Sequence, residues 1–209
     1  MEVETLAVGP FDTNCHIIHG SGKGALVVDP GWDADVISGT IRDLGLQVAA
    51  YLVTHGHMDH IGALADMHEM FPAPIAMHSV EIPHAFSIWN QMPPFYPVPR
   101  RPAEIARVLE DAQEWTDAGL EYRVIHTPGH SPGGVCFYFE TEKALVSGDT
   151  LFAGSVGRVD FKGGNSRELA RSLSLLSRLP DQVTVYPGHG PATELGHEKK
   201  TNPFLERLR

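Results

Sequence analysis

Residues Tyr51 to Ile61 read Y-L-V-T-H-G-H-M-D-H-I, and the rest of the chain is interpreted outward from them. Tyr51, Leu52, Val53 and Thr54 favour a strand, which runs into three histidines and an aspartate packed within six positions. In an extended segment side chains alternate in direction, so His55 and His57 point the same way and can grip one ion, with Gly56 keeping the backbone thin between them. Asp59 and His60 fall where the chain turns into the next helix and can face a second ion from the other side. Imidazole with carboxylate suits zinc, iron or manganese and carries no soft-ligand preference for copper. A polar turn that happens to be rich in histidine is the plainer account, but it leaves unexplained why ligand chemistry of this kind is concentrated at a strand end.

On the N-terminal side, Val3 to Val8 and His16 to Ile18 form two short strands joined by a Gly-Pro-Phe-Asp-Thr-Asn turn, and Ala25 to Val28 forms a third, ended by Asp29-Pro30-Gly31. Asp33 is placed to cap a helix running to about Leu44, with Ile37, Ile41 and Leu44 at helical spacing and Gly45 as its stop. The strand over 48–54 then delivers the histidine cluster. The helix that follows carries Ile61, Leu64, Ala65 and His68 on or near one face and ends before Pro72. From Phe71 to Pro102 the pattern loosens: Ile75 to Met77 fit a short strand, and Pro93, Pro94, Pro97, Pro99 and Pro102 forbid regular structure across the middle. The aromatic and apolar members of this covering segment (Phe86, Trp89, Met92, Phe95, Tyr96) either line a cleft or tuck onto the surface.

Beyond Asp111 the pattern returns to strands: Gln113 to Thr116, Leu120 to Thr127, Gly134 to Phe139 and Ala144 to Ser147. Asn165 with Glu168 is a capping box, and Leu169, Leu173 and Leu176 form the apolar stripe of the helix it opens. Val183 to Tyr186 is the last strand, and a short helical tail closes what is expected to be one domain over 1–209. The formal charge of −10 argues against nucleic acid as a partner, because phosphate binding needs a basic face. No apolar run approaches the roughly 20 residues of a membrane span. The N-terminus is acidic where a signal peptide would be basic, so the chain is expected in the cytoplasm. Cys15 and Cys136, far apart and among apolar residues, are expected as buried free thiols.

Three later segments repeat the logic of the first, an apolar strand ending in a glycine-containing turn that carries one ligand-type residue: Y-R-V-I-H-T-P-G-H with His130, A-L-V-S-G-D-T with Asp149, and V-T-V-Y-P-G-H-G with His189. Strand ends can converge at one sheet edge, where a rigid scaffold holds a site. This ordered set resembles the metallo-β-lactamase superfamily over nearly the whole chain. The resemblance implies an α+β fold, a four-layer αβ/βα sandwich with the metal site at one edge of the two sheets. It implies two divalent ions, zinc foremost and iron or manganese as alternatives: His55, His57 and His130 hold one, Asp59, His60 and His189 the other, and Asp149 bridges them.

Within that superfamily the bridging Asp149 resembles the glyoxalase II group, whereas a true β-lactamase would usually offer a cysteine ligand. G-D-T-L-F-A-G-S-V-G-R-V-D-F and the terminal T-N-P-F-L are similar to the compact bacterial branch of that group. The implied enzyme is a binuclear metallohydrolase that cleaves thioesters such as S-lactoylglutathione with a metal-bridging hydroxide, Asp59 steering that nucleophile and taking its proton. Only about twenty residues follow His189, so the C-terminal region with which larger relatives hold glutathione is expected to be almost wholly missing. Arg158 is the candidate for contact with an anionic substrate. Lys162, Lys199 and Lys200 could also meet such a substrate but are more simply solvated charges, and with Lys199, Lys200, Arg207 and Arg209 as its few cations the tail is expected to hold an anionic handle weakly. Asp29 is either an acceptor that orients the 55–60 loop or a plain turn residue; His126 is expected in the core. Two other functions fit the same residues: a mononuclear iron persulfide dioxygenase using His55, His130 and Asp149, and a metal-binding module without catalysis. Oligomeric state is not legible.

Overall fold

A computed structural model describes residues 1–207, so Arg209 lies outside the described residues. The first sheet is built from β1 (Glu2–Val8), β2 (Thr13–His19), β3 (Gly24–Val28), β4 (Gln47–Leu52), β5 (Ile75–His78) and β6 (Arg107–Leu109), adjacent in that order. Its first three strands are antiparallel, and from β3 onward the pairs are parallel. The second sheet holds β7 (Glu114–Asp117), β8 (Leu120–His126), β9 (Val135–Phe139) and β10 (Ala144–Gly148). After the small hairpin of β11 (Leu151–Phe152) and β12 (Ser155–Val156), it is completed by β13 (Thr184–Pro187) and β14 (Thr193–Glu194). Seven short to medium helices are found among the described residues: α1 (Ala34–Asp43), α2 (Met58–Ile61), α3 (Leu64–Met70), α4 (Ile82–Ala85), α5 (Ser166–Leu176), α6 (Leu195–Thr201) and α7 (Pro203–Glu206).

Alternation along the strands sorts the apolar side chains into three seams, and three seams make four layers. Val27, Tyr51, Val53 and Ile75 face Ile37, Ile41, Leu64 and Met67 of α1 and α3. Their neighbours Leu26, Val28, Leu52 and Ala76 point the other way, against Val124, Phe137, Phe139 and Val146 of the second sheet. On the far side of that sheet Cys136, Tyr138, Leu145 and Val185 pack on Leu169, Leu173 and Leu176 of α5 and on Leu195 and Leu205 of the tail helices. The fold is therefore the four-layer αβ/βα sandwich expected from the sequence. Both cysteines are buried free thiols. No described helix is long and apolar enough to cross a membrane.

Three expectations are corrected. Asp33 does not cap α1 through its side chain; it sits in the left-handed region, and its carboxylate accepts from Gly9 N at 2.9 Å. The helix after the histidine cluster is two helices, α2 and α3, separated where Gly62 passes close to the Gly31 carbonyl. His126 is only half-buried, stacked on His78 at 4.7 Å between ring centroids.

Candidate metal centre

Topology brings the ligand-type residues together. β8 and β10 both pair antiparallel with β9, and β10 pairs parallel with β13, so β8, β10 and β13 end at the same edge. The turns beyond those ends carry His130, Asp149 and His189. The 55–60 loop and α2 reach this edge from β4 in the other sheet. The two sheets are stitched here: Val135 N donates to Thr54 O at 2.9 Å, Asn14 N donates to Gly188 O at 2.7 Å, and Asn14 Nδ2 donates to Pro187 O at 2.9 Å and Gly190 O at 2.8 Å. Gly188 leaves space for the site, since a Cβ there would fall 2.3 Å from Asp149 Oδ1 and 2.8 Å from His60 Cε1.

All seven residues singled out in the sequence meet at this edge, six of them in two groups with Asp149 between. His55, His57 and His130 form one, and Asp59, His60 and His189 the other. His57 Nδ1 lies 3.1 Å from His55 Nε2 and 2.9 Å from His130 Nε2. The Asp149 carboxylate stands between the groups: Oδ2 is 3.5 Å from His130 Nε2 and 3.7 Å from His189 Nε2, and Oδ1 is 3.4 Å from His60 Nε2. Asp59 Oδ2 is 3.4 Å from His189 Nε2 and accepts from Thr13 Oγ1 at 3.2 Å.

The far nitrogen of four of these rings fixes which nitrogen is bare. His60 Nδ1 donates to Asp29 Oδ2 at 2.9 Å, His130 Nδ1 to Arg158 O at 2.7 Å, and His189 Nδ1 to Phe11 O at 3.1 Å. Thr54 Oγ1 gives its one proton to Asp29, so at His55 it must accept from Nδ1, 3.1 Å away. Neutral imidazole carries one proton, and with Nδ1 occupied each Nε2 presents a lone pair to the centre. A proton on His57 Nδ1 would satisfy one neighbour and not both, whereas a cation would satisfy all three. Neighbouring nitrogens around an ion with bonds of about 2.1 Å are roughly 3.0 to 3.4 Å apart, which matches this spacing. In the second group His60 Nε2 and Asp149 Oδ1 are buried with no hydrogen-bond partner among the described residues. Both sets of donors therefore fit divalent cations. Asp29, which also accepts from Thr54 N at 2.8 Å, is the orienting acceptor and not a plain turn residue.

The two groups differ electrostatically. Burial, reinforced by neighbouring imidazoles, pushes His55 far down and His57 to about 3. At His60 burial pulls in the same direction, but Asp59, Asp149 and Asp29 outweigh it and raise the ring to about 10. His189 is likewise raised, burial being overcome by Asp59 and Asp149. Burial opposes the ionisation of Asp59, yet His60, His189 and His57 hold its carboxyl well below the usual range. One half thus offers neutral donors and the other draws positive charge.

A cleft of about 680 Å³ opens over the centre. Trp89 and Met92 of the proline-rich segment form part of its wall, whereas Tyr96 is fully buried beneath, against Trp32 and Phe11. Arg158 lies at the rim, but its guanidinium is held by Asp160 at 2.6 Å and covers the Phe161 ring at 4.4 Å. Its carbonyl, on His130, is the nearer contribution to the site. Sequence reasoning missed Thr13, the carbonyls of Phe11 and Arg158, and Asn90. Asn90 is buried; it donates to Gly56 O at 2.8 Å and accepts from Met58 N at 3.1 Å, tying the proline-rich segment to the ligand loop. Lys199 turns away from the cleft to Leu179 O and Asp181.

A two-sheet sandwich with histidines and aspartates gathered at one edge, bare nitrogens inward and a cleft above, is the architecture of a metal-dependent hydrolase. The family model of the metallo-β-lactamase superfamily matches residues 8–189, and the chain belongs to that superfamily. Among curated relatives it is similar to the probable metallo-hydrolase YqgX of Bacillus subtilis, 35% identical over 98% of each chain. It is also similar to the hydroxyacylglutathione hydrolase GloC of Haemophilus influenzae, 31% identical over 98% of each. Of solved structures, the BLEG-1 B3 metallo-β-lactamase superposes with a TM-score of 0.92 at 34% identity, covering 98% of this chain and 99% of that one. TTHA1623 in a di-iron-bound form superposes with 0.84 at 37% identity, covering 97% and 100%.

Proposed function

We propose that the protein is a binuclear metallohydrolase of the glyoxalase II type, cleaving thioesters such as S-lactoylglutathione. The observation that carries this reading is the Asp149 carboxylate, standing between a three-histidine group and an Asp-His-His group whose rings are all oriented from behind or turned inward. His55, His57 and His130 would hold one ion and Asp59, His60 and His189 the other, with Asp149 shared. Two such ions supply Lewis acidity and a water acidified from 15.7 towards 7. Asp59 is held ionised by His60, His189 and His57 and accepts from Thr13 Oγ1, so its carboxylate is fixed where it can accept a hydrogen bond from the attacking water and steer it. A thiolate leaves without a proton donor because thiols ionise near 8.5, so ligands and a carboxylate suffice for this leaving group. The likeness to GloC supports the thioester, and the likeness to TTHA1623 in its di-iron-bound form supports two metals, with iron beside zinc as a candidate.

The likeness to the BLEG-1 B3 metallo-β-lactamase favours a second substrate class, β-lactams, although this chain offers no cysteine ligand at the centre. The test is elemental analysis joined to steady-state kinetics on S-lactoylglutathione, shorter thioesters, a cephalosporin and a glutathione persulfide with oxygen uptake. About two metals per chain and thioester turnover, with a high KM for the glutathione substrate, are expected. A single tightly held iron with oxygen consumption, or β-lactam turnover well above that of every thioester, would overturn the proposal.

A further inference from the structure

Among the described residues Trp89 is the least buried of the large apolar side chains, 76% exposed, and it is not on a loose loop. Its neighbour Asn90 is buried and also donates to Ala85 O at 2.7 Å, so the backbone that carries the indole is pinned to the ligand loop. Phe161, 37% exposed, also lines the cleft and stands 5.3 Å from the ring of His57 and 6.0 Å from that of His130. Trp89, and the part of Phe161 that the Arg158 guanidinium leaves uncovered, keep apolar surface in water beside a polar centre, so a flat apolar group that covers them gains burial and stacking.

The charges at this wall are as specific. Arg158, although at the rim, has its charge answered by Asp160. Lys162 has its Nζ 5.9 Å from the Trp89 ring centroid and no ion-pair partner among the described residues. It lines both the main cleft and a side chamber of about 320 Å³ that opens past His57, His84 and Trp89. An arm leaving the centre along the Trp89 wall therefore meets one unanswered cation, in a chain whose net charge is −10.

We infer that the cleft contains a subsite for an apolar arm bearing a single negative charge, the apolar part covered by Trp89 and Phe161 and the charge received by Lys162. Resting on the thioester reading above, this makes the preferred substrate a thioester with an aromatic or branched apolar arm ending in a monoanion such as a carboxylate. It also predicts weak retention of a glutathione handle, whose two carboxylates and ammonium would find one cation without an ion-pair partner on this wall among the described residues.

The subsite is tested by calorimetry on metal-loaded protein with naphthalene-1-sulfonate, an apolar anion that is a poor metal ligand, beside neutral 1-naphthylmethanol and methanesulfonate. The naphthalenesulfonate should bind at least about 10-fold more tightly than either comparison probe. Lys162→Gln should bring it to the level of the neutral probe, and Trp89→Ala should weaken both naphthyl probes by roughly 10-fold. Lys200→Gln, on the exposed tail, should change neither. Equal binding of the charged and neutral probes, or indifference to Trp89→Ala, overturns the subsite. In kinetics on an arylcarboxylate thioester the same variants should raise KM and leave kcat in place; a fall in kcat at unchanged KM also overturns it. If the enzyme hydrolyses no thioester the reaction reading fails, while the calorimetry still decides the subsite.

Discussion

Asp29→Asn is the substitution that most directly tests how the rings are oriented. The Asp29 carboxylate accepts three hydrogen bonds, from Thr54 N, from Thr54 Oγ1 and from His60 Nδ1. In asparagine, Oδ1 can keep the bond from Thr54 N, but the amide nitrogen then faces His60 Nδ1 with a proton of its own. Two donors cannot share that 2.9 Å contact. Relief comes if His60 shifts its proton to Nε2, the nitrogen that faces Asp59 and Asp149, and that proton occupies the position a cation needs. Loss of an outer partner of this kind weakens metal binding by about 10- to 100-fold, or roughly 1.4 to 2.8 kcal/mol. The loss should fall on the group that contains His60. His55 is touched only through Thr54, so the three-histidine group should keep most of its affinity. Chelator competition with metal counted per chain reads the two affinities, and circular dichroism on metal-free protein checks that the fold is intact. A folded variant that binds both equivalents within about threefold of the parent would refute the tautomer argument.

Asp149→Ala should remove more than the roughly 100-fold that outer partners cost, in both metal content and rate, because two like charges would lose the carboxylate between them; His197→Ala on the exposed tail should change neither, and equal mild effects in an activity and metal assay would show the grouping to be wrong. Gly188→Ala drives a methyl into Asp149 Oδ1 and His60, so it should cost roughly 1 to 3 kcal/mol in urea unfolding and displace metal as well. His16 is buried, with Thr5 Oγ1 3.0 Å from Nδ1 and Nε2 donating to Pro187 O at 3.1 Å, and burial lowers it to about 4. Between that value and the 6.5 of the unfolded chain only the unfolded state takes up the proton, so stability falls as pH drops through this window. The stability gap between the parent and His16→Gln, read from denaturant titrations of metal-free protein, should narrow by about 3 kcal/mol from pH 7 to pH 4; a constant gap would contradict it.

The convergent residues were legible because each is announced by a local signal: a strand of β-branched and apolar residues, then glycine, then a ligand-type side chain. The layers were expected from the resemblance carried by the whole motif set and not from periodicity; the apolar run Leu26, Val27 and Val28, with both faces of β3 covered, agrees with them. What holds the rings was not legible. The carbonyls of Phe11 and Arg158 act through backbone atoms that every residue possesses, so no side-chain pattern marks them. Arg158 was noticed for its charge, and its carbonyl proves to be the closer contribution. In the proline-rich segment the sequence forbids regular structure, yet Tyr96 is fully buried there and Asn90 fixes the loop. Prolines remove backbone donors without removing side-chain contacts, so irregular backbone was no guide to burial.

The tail is the remaining case in which residue chemistry and structural role diverge. Its few cations are expected to hold an anionic handle only weakly, and the buried residues between them bear more directly on the cleft. Glu198 is 1% exposed and accepts from Gly154 N at 2.9 Å and from Thr193 Oγ1 at 2.7 Å. Asn202, fully buried, donates to Ser155 O at 3.1 Å and to Glu198 Oε2 at 2.8 Å, and its Oδ1 caps α7 by accepting from Phe204 N at 3.0 Å. The partners Gly154 and Ser155 belong to the β11–β12 hairpin, whose Phe152, Ser155 and Val156 line the cleft beside His189. A side chain in α6 and the asparagine after it therefore fix the shape of the substrate's surroundings without reaching the substrate. The T-N-P-F-L segment acts here by holding a wall in register, which needs a buried carboxylate and amide at these positions and no cation at all.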